Sequence, residues 1–513
     1  TFLNNALCQT GAYTFASANL SSLIQLNFNN STWWKSGVTT TDSANTAYYT
    51  FYHANLSGLS SLNLTGVVFA VAGMTSSTTV YTASYTFSGA NLSSLSSLNL
   101  TEVVFAVTSM TSSGTVYTAS YTFSDANLSS LSSLNLTGVV FAVTSMTHTG
   151  AAYTASYTFN YANLSGLSSL NLTGVVFVAT RTSNYGYVYT ANYTFNYANL
   201  SGLSSLNLTG VVFAVAGMTS GSVNTAYYTF SGANLSGLSS LDLTGVEFAV
   251  ASMTTGTVNT ASYTFRNANL SGLSSLDLAE AVFAVASTIT DGTVNTACFT
   301  FNGANLSSLS SLNLTGVVFA VAGMTIHGAV HSAYNTFAGA NLSDLSSLDL
   351  AGAEFAVTNM GLHGAVFTAS NTFASANLSG LSSLDLTGAE FAVTNMTTWN
   401  VYSAYYTFSG ANLSGLSSLD LTGAEFAAAN ISLYGTCITA NYTFSSANLS
   451  AINNLYLPSL WQYTYVWSNT FSNNANSNEV NIYGYESCPP WFGRSSSDTS
   501  KSLWFPNAVW VLY

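Results

Sequence analysis

Leucine, phenylalanine and β-branched residues recur along this chain in a fixed order, separated by Ser, Thr, Asn and Gly. One stretch, residues 85–120, reads YTFSGANLSSLSSLNLTEVVFAVTSMTSSGTVYTAS. Within it, Leu92, Leu95, Leu98 and Leu100 give L-x-x-L-x-x-L-x-L, residues 103–107 form a short apolar run, and Val116-Tyr117-Thr118 leads through Ala119 and Ser120 into Tyr121-Thr122-Phe123. Alternation of β-branched and aromatic residues, with four prolines in the whole chain and no 3.6-residue period, predicts strands for the segments TVYTASYTF and VVFAV. The Ser/Thr/Gly stretch after Met110, the part that varies in length between units, predicts a surface turn.

The unit repeats. Ala-Asn-Leu-Ser places its Asn at 19, 55, 91, 127, 163, 199, 234, 269, 305, 341, 377, 412 and 448, thirteen copies 35 or 36 residues apart. A unit this short cannot bury its own apolar face, so stacking of copies is the stable solution. The expected fold class is all-β: a β-solenoid of about thirteen 35–36-residue repeats with distinct terminal caps. At about 4.8 Å per coil the stack would be about 60 Å long. A parallel coil is preferred over an array of antiparallel hairpins, one per unit. Residues 1–46 are expected to form an N-terminal cap with an atypical first repeat, 47–450 the repeat solenoid, and 451–513 an aromatic-rich C-terminal cap or assembly segment.

The leucine spacing at Leu92, Leu95, Leu98 and Leu100 resembles the first half of a leucine-rich repeat, and Ala90-Asn91-Leu92-Ser93-Ser94 resembles a pentapeptide repeat. Val103 stands where a leucine-rich repeat has Asn or Cys, and the five-residue period stops after Leu92. The resemblance implies a right-handed or horseshoe-like stack and no particular activity.

Composition narrows the function. Charged residues make up 4% of the chain, with 5 basic against 18 acidic side chains and a formal charge of −13. Such a chain offers no basic footprint for nucleic acid, and its apolar runs are far shorter than the roughly 18 residues of a membrane span. It opens on Thr1 without a charged-then-apolar leader, so a signal peptide is expected to have been removed or to lie outside the sequence. Motifs for zinc proteases, phosphate-binding loops, serine hydrolases and Cys-x-x-Cys redox sites are missing, which argues against an enzyme.

The thirteen Asn-Leu-Ser copies (Asn19, Asn55, Asn91, Asn127, Asn163, Asn199, Asn234, Asn269, Asn305, Asn341, Asn377, Asn412, Asn448) are N-glycosylation sequons. Asn-Leu-Thr adds a second set at Asn63, Asn99, Asn135, Asn171, Asn207 and Asn313, and Asn30, Asn192, Asn395, Asn430 and Asn441 also satisfy the rule. Sugar would keep a nearly uncharged chain soluble. Later repeats replace the second Asn by Asp and add Glu five residues on. Columns of Asp349, Asp385 and Asp420, and of Glu354, Glu390 and Glu425, would repel, making calcium the one candidate cofactor. His327, His331 and His363 are expected in exposed turns. Cys298 and Cys437 are expected as buried thiols, with Cys8 and Cys488 in opposite caps. The threonine before each Phe of Thr-Phe could bond along the rod, carry O-linked sugar or present a flat hydroxyl array to ice or polysaccharide.

These features together predict an extracellular or cell-surface structural protein, a glycosylated rod or fibril subunit whose partners are copies of itself end to end. The alternative is an adhesin or a carbohydrate- or ice-binding module with Tyr161, Tyr185, Tyr187, Tyr197 and Trp399 as contacts.

Overall fold

The computed structural model describes residues 7–8, 12–36, 44–73, 79–109, 111, 114–146, 150–181, 186–208, 210–217, 220–244, 246–251, 255–286, 291–322, 327–358, 364–391, 393–394, 400–424, 428–429, 436–457, 469–474, 476, 478–484, 497 and 502–512. Among them there is no helix and every strand pairing is parallel, so the chain is an all-β parallel β-solenoid and the hairpin array does not occur. The chain divides into two compact units, Thr1–Asp242 with Val246–Leu270, and Leu243–Gly245 with Ser271–Tyr513.

A coil of the first unit carries three short strands. Ser97–Asn99 belongs to what we call the Leu sheet, Val104–Thr108 to the Phe sheet and Val116–Thr118 to the Tyr sheet. Their period-2 alternation decides which side chains face inward. Leu98, then Phe105 and Val107, then Val116 and Thr118 are buried, while Asn99, Ala106 and Tyr117 point out. Equivalent residues pair 36 apart, Leu98 with Leu134, Phe105 with Phe141 and Tyr117 with Tyr153. Side chains thus form continuous columns. In the first unit the Phe column of the Phe sheet runs from Phe69 to Phe248 with centroids 4.9–5.3 Å apart. A second, from Phe15 to Phe265, runs at 5.0–5.2 Å. The second unit repeats the plan, with Phe301, Phe337, Phe373, Phe408 and Phe444 at 5.0–5.2 Å.

The segment TASYTF departs from its sequence reading. Thr82 ends a strand, and residues 83–89 run as successive turns in which Ala83, Tyr85 and Gly89 have φ of 51°, 56° and 65°. Left-handed backbone costs a non-glycine residue about 1–2 kcal/mol, so the coil must repay it with hydrogen bonds. Ala83 N–H donates to Thr46 of the preceding coil at 2.8 Å, while Tyr85 N–H and Phe87 N–H donate to Ser120 and Thr122 of the following one at 3.0 and 2.8 Å. The Ala83 carbonyl in turn accepts the Thr122 hydroxyl at 2.7 Å.

That bond explains the threonine before each Phe. Thr86, Thr122, Thr158, Thr194, Thr229 and Thr264 in the first unit, and Thr336, Thr372, Thr407 and Thr443 in the second, are buried and donate to an Ala carbonyl about one coil back at 2.6–2.8 Å. The column presents no hydroxyl array to ice and no O-glycosylation surface; it is a buried brace. A different threonine column, Thr82, Thr118, Thr154 and Thr190 in the Tyr sheet, is fully buried with its hydroxyls unpartnered among the described residues. The two columns predict opposite responses to the same substitution. Thr118→Val should stabilise by about 1 kcal/mol, and Thr122→Val should destabilise by about 1–2 kcal/mol, because only the second loses a hydrogen bond. Urea midpoints of the two variants test this, and equal shifts would refute it.

At the C-terminal end the coil continues past residue 451 on a shorter period. Asn454–Tyr456 pairs with Val480–Gly484, which pairs with Ala508–Leu512, at offsets of 27 and 28 residues. Phe471 extends the Phe column at 5.4 Å from Phe444. Where leucines are lost, amides replace them as braces. Asn474, Asn476 and Asn478 donate through Nδ2 to the carbonyls of Phe444, Leu449 and Ser450 at 2.7, 3.0 and 2.6 Å.

Candidate functional site

The sequons fall in two columns with different geometry. Twelve of the thirteen Asn of Asn-Leu-Ser precede a buried leucine, Leu20 after Asn19 being half-buried, and within each unit the thirteen form single parallel bridges with their counterparts one coil away. Several of these side chains work twice. Asn91 Oδ1 accepts the Ser93 N–H at 3.2 Å, an Asx turn that redirects the chain. Asn-to-Asn amide bonds link coils, as from Asn55 to Asn19 at 3.2 Å, Asn269 to Asn234 at 3.3 Å, Asn377 to Asn341 at 3.1 Å and Asn448 to Asn412 at 3.1 Å.

The second column sits at the end of each Leu-sheet strand. Asn63, Asn99, Asn135 and Asn171 accept both the N–H and the hydroxyl of the Thr two residues on at 2.5–3.0 Å, and Asn313 accepts the N–H of Thr315 at 3.0 Å. Asp does the same: Asp277, Asp349, Asp385 and Asp420 accept the N–H two residues on at 2.8–2.9 Å. A turn acceptor is what this position needs, and that accounts for the exchange of Asn and Asp along the chain. Asn207 of this set pairs by backbone with Asp242. Of the other sequons, Asn30 lies in an exposed turn at φ 55°, Asn192 and Asn441 are buried, and Asn395 and Asn430 lie outside the described residues.

The acidic columns form in part. Asp349 pairs with Asp385 in register, and Glu354 bridges Glu390. Glu425 lies outside the described residues. The Thr387 N–H and hydroxyl hold the Asp385 carboxyl below the usual carboxylate range, against a smaller opposing effect of burial, so this carboxylate is stabilised without a cation. Among the described residues no group of three or more His, Cys, Asp or Glu converges. Histidine departs from expectation at His331, which is not an exposed turn residue: its ring stacks on Phe367 at 4.9 Å, and burial pushes its pKa down. The side chain of His327 and all of His363 lie outside the described residues. Cys298 is a buried thiol whose Sγ donates to the His331 carbonyl at 3.3 Å, and the side chains of Cys8, Cys437 and Cys488 lie outside the described residues.

Stacked tyrosines escaped the sequence reading, although their period was visible. Tyr49, Tyr85, Tyr121, Tyr157, Tyr193, Tyr228 and Tyr263 form one ladder with centroids 4.6–4.9 Å apart, and Tyr81, Tyr117, Tyr153 and Tyr189 a second at 4.7–5.0 Å. Their planes lie within 14° of parallel, so each inner ring has both faces covered by its neighbours. Sugar-binding platforms require an open ring face, and these ladders offer edges.

Burial first, and then the neighbouring phenols, raise the pKa of Tyr85, Tyr121 and Tyr193, the last to about 12. A folded-state pKa above the unfolded value of about 10 contributes stability that is complete below pH 10 and lost as pH climbs through the folded values. The melting temperature should therefore be flat from pH 7 to about 9.5 and fall steeply above about 10. Phenolate absorbance should lag behind that of free tyrosine until unfolding. A melting temperature unchanged at pH 12 would contradict the ladders.

Three tyrosines named as contacts are open to solvent: Tyr161, Tyr187 and Tyr197 are 56%, 53% and 54% exposed. Tyr185 and Trp399 lie outside the described residues. The apolar gap between the columns of the first unit, lined by Leu100, Phe105, Phe123 and their counterparts, holds about 20 Å³, room for about one water and no ligand. No helix among the described residues is long and apolar enough to cross a membrane. No family model, no curated protein and no solved structure matches the chain.

Proposed function

We propose that this protein is an extracellular structural element, a non-enzymatic β-solenoid that assembles end to end and carries N-linked sugar on a subset of its sequons. One observation carries the reading: three of the repeated side-chain types are engaged by the neighbouring coil. Threonine hydroxyls brace alanine carbonyls, asparagine amides bridge asparagines, and tyrosine faces cover tyrosines. A surface so occupied supports persistence of form over chemistry. No cofactor enters this proposal.

Neighbouring sequons stand one strand spacing apart, about 4.8 Å, and two sugar rings cannot occupy that interval. Occupancy is therefore expected on alternate coils at most. Self-association is supported by the strand Ala508–Leu512, which pairs with Val480–Gly484 among the described residues and exposes Val509, Val511 and Leu512. An apolar strand of this kind templates pairing with another chain.

Two measurements on chain secreted from a eukaryotic host test the proposal. Intact mass before and after enzymatic deglycosylation should show no more than about seven of the thirteen Asn-Leu-Ser sites filled. Negative-stain microscopy should show filaments that Val509→Lys shortens or abolishes. Monodisperse single particles that bind members of a glycan panel would favour the adhesin reading, for which the exposed Tyr161, Tyr187 and Tyr197 speak.

A further inference from the structure

Tyr161 and Tyr197 occupy the same corner of successive coils in the first unit. The equivalent position carries Ser17, His53, Gly89, Asp125, Gly232 and Asn267 in other coils of that unit, most of them residues that tolerate a left-handed backbone. Tyrosine is ill suited there, yet both residues hold it, at φ 55° and 52°. Their rings stack with centroids 5.2 Å apart and planes within 10°, on side chains more than half exposed. The two ladders described above are half-buried; this pair lies outside them. Of the other exposed tyrosines, Tyr187 has its stacked neighbour Tyr189 at 6.3 Å and half-buried, and Tyr13 stacks at 5.0 Å on Tyr49, which is half-buried.

We propose that Tyr161 and Tyr197 form an oxidative cross-linking site, in which a peroxidase using hydrogen peroxide couples the two rings into dityrosine and ties adjacent coils together covalently. Each phenol gives up one electron and its hydroxyl proton. The two radicals join through a new bond between the ring carbons ortho to the hydroxyls. The hydrogens on those two carbons then move to the oxygens, restoring both aromatic rings. The pair loses two electrons and two protons in all, and one hydrogen peroxide accepts them to become two waters.

Adjacency supplies the selectivity. Radical coupling needs two rings in reach of one another and an enzyme in reach of both. The ladders meet the first condition, but they are half-buried and so less open to the enzyme. Exposed side chains without packing on their outer edges can also rotate from the stacked pose into the bonded one. The site is independent of the assembly and sugar proposed above, because it joins two residues of one chain.

Purified full-length chain treated with a haem peroxidase and hydrogen peroxide should lose two hydrogens in intact mass and gain dityrosine fluorescence. Digestion should yield one dominant cross-linked peptide joining Tyr161 to Tyr197. Tyr161→Phe and Tyr197→Phe, each exposed and close to isosteric, should fold as before and each remove that peptide, while Tyr187→Phe should leave it. Absence of the mass loss, a dominant link within the half-buried ladders, or links mainly between molecules would overturn the proposal.

Discussion

Replacing Phe123 with alanine should destabilise the first unit by about 3–5 kcal/mol, the range for deleting a fully buried aromatic ring. The side chain is 2% exposed, stacked between Phe87 at 5.2 Å and Phe159 at 5.1 Å, and it lines the narrow apolar gap of the core. Backbone pairing to both neighbouring coils prevents collapse around the lost ring, so the gap must widen. In a stack of nearest-neighbour interfaces the damage stays local. Amide exchange should therefore accelerate most between residues 87 and 159 and least at the far end of the unit. Phe15→Ala is the internal comparison, since Phe15 at the end of the same column is only half-buried. Its urea midpoint should move less than half as far. Equal shifts would mean that the column is not the core of the coil.

The stack itself was legible from the recurrence of Asn in Ala-Asn-Leu-Ser. A fixed interval of 35 or 36 residues forces equivalent side chains into register once strands pair in parallel, and Asn19 to Asn269 and Asn305 to Asn448 do so within their units. What local propensity could not supply was the turn after Thr82. Thr, Tyr and Phe favour strands, and nothing at Ala83 or Tyr85 marks a left-handed residue, because the stabilising bonds come from coils 36 residues away. For Thr122 a bond along the stack was one of three roles open on the sequence, and the structure selects it. A threonine before a buried Phe reads as outward-facing by alternation, but the broken strand turns it inward to the Ala83 carbonyl.

Candidate chemistry was legible only as composition. Asn99 reads as a sugar acceptor on its sequon and as a turn acceptor on its geometry, and Asp in the same place at Asp277, Asp349 and Asp385 exposes the turn requirement. The tyrosine ladders arise from the same 36-residue interval as the leucine columns. The short coils after residue 451 were hidden because their period drops to 27 and 28 and asparagine takes the place of leucine.

Glycine supplies the other large effect. In the Tyr sheet of the first unit, Gly221 pairs in register with Gly256, and Gly186 precedes them in the same column. Their φ values, 152°, 125° and 117° for Gly186, Gly221 and Gly256, lie where side chains are rarely carried. A Cβ on Gly221 would stand 1.7 Å from the Gly186 carbonyl oxygen, and one on Gly256 equally close to that of Gly221. These neighbours are backbone and cannot rotate aside, so Gly221→Ala must break the pairing of Ser220–Thr225 with one neighbouring strand. We expect a loss of roughly 3 kcal/mol or more from overpacking and backbone strain together. Exchange should quicken in residues 187–190, 220–225 and 255–260. Gly174→Ala is the matched control: its φ is also positive at 64°, but nothing lies within 4 Å of the added Cβ. The equivalent corner already carries Glu102 at φ 58° and Asn30 at φ 55° in the same unit. Its cost should stay at about 1 kcal/mol, the strain of a left-handed residue alone. A melting temperature equally lowered by both variants would show that φ alone sets the penalty, and that the close approach of successive glycines in the Tyr sheet does not.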